Sequence, residues 1–145
     1  MKKNLVLSIF IVFLSAGLSL SSCTTFTPST LCGKETTPNH DTYSQYFTSI
    51  QLQNTTGDGT DSSPNTGRIF SSPNELIIEA KSITDVAVRF CVFEVKRGGE
   101  ILYDQTHLMS GGNQSFSIGG FEPGSYMIRV YADEVLVDNM QFLIR

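Results

Sequence analysis

The chain has 145 residues, 40% of them hydrophobic, with ten Phe, twelve Gly, five Pro and no Trp. That length holds one domain plus an export segment. Ten basic residues stand against 14 acidic ones, a balance that repels phosphate backbones; it argues against nucleic acid as a partner and against binding anionic lipid through a basic patch.

Lys2 and Lys3 open the chain, and Leu5 to Leu14 is a near-apolar run of ten residues. A basic start followed by an apolar stretch too short to span a bilayer, which takes about 20 residues, is the layout of a cleaved export signal. The alternative is an uncleaved anchor from Leu5 to Leu20, interrupted by three serines and a glycine. The run closes on Leu20-Ser21-Ser22-Cys23. This resembles the lipobox of bacterial lipoproteins: an aliphatic residue, two small residues, then the cysteine that receives the lipid. The resemblance implies that residues 1–22 are a signal peptide and that Cys23 becomes the acylated first residue, a target for palmitate-type chains. Two or more such chains hold a protein to a membrane effectively for good. Thr24 stands where an Asp retains enteric lipoproteins in the inner membrane, which points to the outer membrane; the missing acidic export signal leaves the periplasmic face. Removal of residues 1–22 takes Lys2 and Lys3 with it, so the mature part has 8 basic and 14 acidic residues, net −6.

From Thr24 to about Gln45 the chain is rich in Thr, Ser and Pro without a sustained apolar period, so residues 23–45 read as a flexible tether. His40, beside Asp41, has no suitably spaced partners for a metal and reads as solvent-exposed. With Cys23 consumed by lipid, Cys32 and Cys91 remain as an even pair in an oxidising compartment. A bridge between them would tie the tether to the domain. Equally, Cys91 could be a small buried hydrophobe in a strand and Cys32 a mobile thiol; spacing leaves both open.

Residues 46–145 carry a hydrophobic period of two. Tyr46, Ile50 and Leu52 alternate with Phe47, Ser49, Gln51 and Gln53. Residues 54–68, with Gly57, Gly59, Pro64 and Gly67, form a long polar loop, a length that usually means function or mobility. A short strand at Arg68-Ile69-Phe70 follows, then Glu75 to Lys81 with apolar residues on both faces, the mark of an inner strand. Val86, Val88, Phe90 and Val92 alternate and then shift phase to Phe93 and Val95, as a β-bulge would write. Turns at 97–100 and 111–113, a type II turn over Glu122-Pro123-Gly124-Ser125, and a hairpin at Asp133-Glu134 separate the remaining strands. The last runs from Val135 to Ile144. The expected fold is an all-β, antiparallel, immunoglobulin-like sandwich of about seven strands, its edges guarded by Lys81, Lys96 and Arg129.

From Ser72 onward, Pro73-Asn74 leads into Leu76-Ile77-Ile78, and a strand ends in Lys96-Arg97-Gly98-Gly99-Glu100-Ile101-Leu102-Tyr103. Phe116 to Ile118, Gly124-Ser125-Tyr126-Met127-Ile128-Arg129-Val130 and Met140-Gln141-Phe142-Leu143-Ile144 follow. This order is similar to the C-terminal sorting domain of type IX secretion cargo and to small β-sandwich lipoproteins of unknown function. The resemblance covers about half the chain and implies fold, not activity.

No nucleophile elbow, zinc-binding helix, paired-cysteine or phosphate-loop motif occurs in the sequence. His107 shares a strand phase with Tyr103 and Gln105, as a satisfied or surface histidine would. Asp58 and Asp61 sit in a run with oxygen ligands at alternate positions, but Asn65 replaces the acid a calcium loop needs. Tyr43, Tyr46, Tyr131 and Phe121 are left as surface aromatics for a glycan, with covering the ends of the sandwich the favoured role. The expectation is a lipid-anchored binding module without catalytic residues, metal or cofactor. Its partner would be an envelope protein or glycan, met at the 54–68 loop through Asp58, Asp61 and Arg68 or at the loops 97–100 and 110–113, since rigid sandwiches carry function on loops. A structural envelope component, or a small hydrolase or inhibitor, are the competing classes.

Overall fold

Alternation gives a strand one face to bury, and two such sheets can bury each other. The computed structural model describes residues 32–33, 35–54, 60–63, 67–71, 75–96 and 99–145. They form one short helix, α1 (His40–Tyr46), and strands β1 (Phe47–Asn54), β2 (Thr60–Ser63), β3 (Gly67–Phe70), β4 (Leu76–Ser82), β5 (Val86–Glu94), β6 (Ile101–Met109), β7 (Gly112–Gly119), β8 (Gly124–Ala132) and β9 (Val135–Ile144). One sheet has three strands in the order β1-β4-β7, the other six in the order β2-β3-β9-β8-β5-β6. The chain crosses between sheets after β1, β3, β4, β6 and β7 and makes hairpins within the large sheet at β2–β3, β5–β6 and β8–β9. This is an immunoglobulin-like sandwich.

The strands outnumber the seven expected, and the sheets are not wholly antiparallel. The 54–68 stretch contains β2 and the start of β3, and β3 runs parallel to β9, from Arg68 opposite Phe142 to Phe70 opposite Ile144. Thr60-Asp61-Ser62-Ser63 holds no apolar residue, so no periodicity could announce β2.

Between the sheets lie Leu52, Leu76 and Ile78 from one side and Val88, Phe90, Val92, Ile128, Val130 and Phe142 from the other. β4 is the middle strand of its sheet, as its two apolar faces imply. At the start of β1 the expected phase is wrong. Tyr46 ends the helix, and a register shift between Phe47 and Ser49 turns Phe47 into the core.

The irregularity expected after Val92 is there, but its extra residue belongs to the neighbouring strand. Val92 pairs with Tyr103 and Phe93 with Ile101, which leaves Leu102 of β6 as the bulge. Within β5 the alternation never changes phase: Cys91 and Phe93 point to the outer face of the sheet and are buried there as well.

At the base of β8, Tyr126 puts its ring in the core and its hydroxyl donates to the Glu122 carbonyl at 2.6 Å, the tyrosine corner of such sandwiches. A type II turn would need a positive φ at Gly124, which Gly124 does not adopt. Its glycine serves clearance instead, since a Cβ there would lie 2.9 Å from the Tyr126 hydroxyl. At the β8–β9 hairpin both turn residues are left-handed, Asp133 at φ 44° and Glu134 at φ 68°, matching the strand twist.

Replacing Tyr126 by Phe removes the corner bond and leaves a carbonyl unsatisfied, at a cost of about 1–3 kcal/mol. Denaturant unfolding should show that loss with an unchanged β-type circular dichroism spectrum.

Candidate functional site

A two-layer sandwich leaves the outer face of each sheet wet unless another segment covers it. On the large sheet that segment begins at Cys32, which is bonded to Cys91 of β5 with their Cα atoms 5.9 Å apart. Both cysteines are fully buried beside Phe93, with Ile101 and Met127 packed around them. The chain then crosses β8. Arg129 donates from Nη1 to the Gly33 carbonyl at 3.1 Å. Gly33 has φ +98° and passes so close to Tyr131 that a Cβ would lie 2.7 Å from the phenol oxygen; only glycine meets both conditions.

At β9 the Leu136 amide donates to Glu35 Oε2 at 3.3 Å, Asn139 Nδ2 donates to the Thr36 carbonyl at 3.0 Å, and the Asn39 amide donates to the Leu136 carbonyl at 2.8 Å. Asn39 then caps α1 by accepting from the Thr42 amide at 3.0 Å. The helix, with Tyr43 and Tyr46 packed on the core, delivers the chain into β1 of the other sheet.

Within the flexible tether expected over 23–45, the described residues, from Cys32 onward, are instead bonded to the sandwich. The apolar outer face of β5 and β8 requires the cover. The helix was not expected; Asn39 as its N-cap with Asp41 in the first turn is the sequence signal that marks it. Of the four aromatics weighed as surface or covering residues, Tyr131 and Phe121 are buried, the one under Gly33 and the other against Tyr126 and Phe142. Arg129, expected to guard an edge, is buried on an inner strand with its guanidinium 5.5 Å from the Phe93 ring centroid.

Of the residues expected to bind, Cys23 and the whole of 1–22 lie outside the described residues, as does Asp58. Asp61 falls within β2. Arg68 of β3 donates from Nη1 to the Leu52 carbonyl of β1, tying one sheet to the other. Beside it, between β1 and β9, opens a groove of about 240 Å³ with Ile50, Leu52 and Met140 as apolar walls and Arg68 and Asp138 as its charges. Burial pushes the Asp138 carboxyl above the ordinary carboxylate value, partly offset by the Asn139 amide and His40. The Tyr43 phenol is raised by burial and by the Asp138 charge.

His40 is exposed. His107 bonds to the Tyr103 hydroxyl at 2.9 Å, lies 4.6 Å from the Phe116 ring centroid, and is held below the usual imidazole value by burial. It is a satisfied histidine. Among the described residues no three His, Cys, Asp or Glu side chains are placed to hold a metal ion.

Two predictions follow from this geometry. The bond closes a separation of 59 residues, so replacing both Cys32 and Cys91 by Ala should cost about 4 kcal/mol on the chain-entropy account, read as a lowered denaturant midpoint. Asp138 has its folded pKa above its unfolded value, so its protonated form is the one folding favours. Stability is then lost as pH rises from the unfolded value through the folded one. Asp138→Asn should accordingly raise stability at pH 7, by less than about 1 kcal/mol given its partial exposure, and the gain should vanish below pH 4.

No protein family and no curated protein matches the chain. Among solved structures, the alkylpurine DNA glycosylase AlkC of Pseudomonas fluorescens, bound to DNA containing an abasic site analog, overlaps 66% of this chain and 30% of its own at 11% identity and a TM-score of 0.34. The chain thus spans less than a third of that protein, and an overlap of this quality assigns nothing to it.

Proposed function

We propose that this chain is an exported lipoprotein, held to the outer membrane by an acylated Cys23 and facing the periplasm, that binds a partner in the cell envelope and performs no catalysis. The observation that carries the reading is the buried Cys32–Cys91 bond. Such bonds persist in oxidising compartments. They also account for two of the three cysteines and leave for modification the one that ends the lipobox-like run.

The groove beside Arg68 is the favoured contact. Its apolar walls, flanked by one cation and one carboxylate, suit an extended polypeptide segment, which draws affinity from main-chain bonds and side-chain pockets along a sheet edge. An envelope protein is therefore preferred over a glycan.

Expression of the full chain in a diderm bacterium with labelled palmitate tests the anchor. The expected result is a chain trimmed before Cys23, labelled and recovered with outer membranes, and a Cys23→Ser chain that is neither labelled nor retained. An unlabelled wild type, or a Cys23→Ser chain retained as before, overturns it. A photo-cross-linking residue at Gln141, on the groove, should capture a discrete envelope protein that the same residue at Gln114, on the opposite sheet, does not. Equal capture from both positions would favour a structural component with no dedicated site.

A further inference from the structure

β6 is the last strand of the six-stranded sheet, and among the described residues nothing pairs with its outer edge. Such an edge is a template for another strand, and proteins usually blunt it with Lys, Pro or a bulge. Ile101–Met109 contains no Lys and no Pro, and its bulge at Leu102 leaves Tyr103–Met109 regular. The strand also carries two of the large exposed apolar side chains of the chain, Leu102 at 44% and Leu108 at 85% exposure.

In the sequence of this strand, Ile-Leu-Tyr-Asp-Gln-Thr-His-Leu-Met, Leu102 and Leu108 stand symmetrically about Gln105. Antiparallel pairing with a second copy on an axis through Gln105 sets Asp104 opposite Thr106 and Tyr103 opposite His107, and brings Leu102, at the bulge, against Leu108. Every opposed pair is apolar with apolar or donor with acceptor, the pairings that stabilise a sheet. Neighbouring registers fail: an axis through Asp104 opposes two carboxylates, and one through Thr106 opposes Asp104 to Leu108. The Asp104 charge is held by its own Arg89, with Nε and Nη2 each at 2.7 Å, so the two copies bring no unpaired like charges together. A two-fold contact of this kind is self-complementary, as isologous interfaces must be. We infer that β6 is a dimerisation edge, joining two copies of this chain antiparallel about Gln105 into one continuous twelve-stranded sheet.

Sedimentation velocity of the full chain in nonionic detergent, across a concentration series, tests the inference. The expected result is a concentration-dependent dimer, weakened on the order of 100-fold by Leu108→Lys, because the axis removes the Leu102–Leu108 contact twice. Leu108 touches little of its own domain, so the unfolding midpoint of the variant should stay at the wild-type value. The register has its own readout. In an antiparallel pair, opposed Cα atoms lie about 4.5–5.5 Å apart, within disulfide reach, so a Gln105→Cys chain should oxidise to a dimer whose peptide map shows residue 105 linked to residue 105. A chain that stays monomeric at every concentration and forms no such link overturns the inference, as does a dimer indifferent to Leu108→Lys.

Discussion

A strand inside a sheet has no edge to expose, and from Phe90 to Glu94 β5 has no wet face either. Val88, Phe90 and Val92 fill the space between the sheets, while Cys91 and Phe93 are buried on the outer side. The second cover cannot come from another layer of strands, so it comes from the chain ahead of the domain. That segment brings few apolar groups of its own. Its hydrogen bonds to Arg129, Leu136 and Asn139 are each worth about 1 kcal/mol net, against about 1–2 kcal/mol for ordering each residue of backbone. Noncovalent contact alone would not keep such a segment down. A covalent bond from Cys32 to the middle of the covered face changes the comparison by restricting the unfolded chain.

How legible this was depends on whether a residue's surroundings repeat at the strand period. Val86, Val88, Phe90 and Val92 announce their strand because one side of it meets a uniform core. Phe93 and Val95 looked like a change of phase, and Phe93 did so for the opposite reason: a locally covered outer face writes an apolar residue where alternation expects a polar one. The same ambiguity hid Phe47, since a register shift beside it reverses which of two adjacent aromatics turns inward. β2 has no apolar residue to place it, and α1 buries no residue fully, so neither could show in a hydrophobic period. Gly124 was read as a turn former because Pro precedes it, whereas its reason for being glycine is the hydroxyl of Tyr126 two residues on. Of the candidate site, Arg68 was legible as a charge after a polar loop. The other charge of the groove, Asp138, was not, because nothing local says that β1 and β9 leave a gap there.

The path of the N-terminal segment sets where an anchored domain can sit. With acylation at Cys23, the constraint on the sandwich is the nine residues to Cys32, which even fully extended reach no more than about 32 Å. The point of attachment is then the large sheet's outer face at mid-length of β5, beside the β6 edge, not one end of the sandwich. This bears on the pairing of two copies through β6. Strands that pair antiparallel in one continuous sheet are related by an axis perpendicular to it, so paired residues point to the same side. Both outer faces, and with them both Cys32 residues, therefore look the same way. Two chains joined at β6 would direct both lipids into one membrane and turn both small sheets, with Gln51, Glu79, Lys81 and Ser115 on their outer faces, away from it. An end-to-end or face-to-face pairing of the large sheets would set the anchors against each other or bury them. The edge-to-edge arrangement is the one in which the fold, the disulfide and a lipid at Cys23 make the same geometric demand.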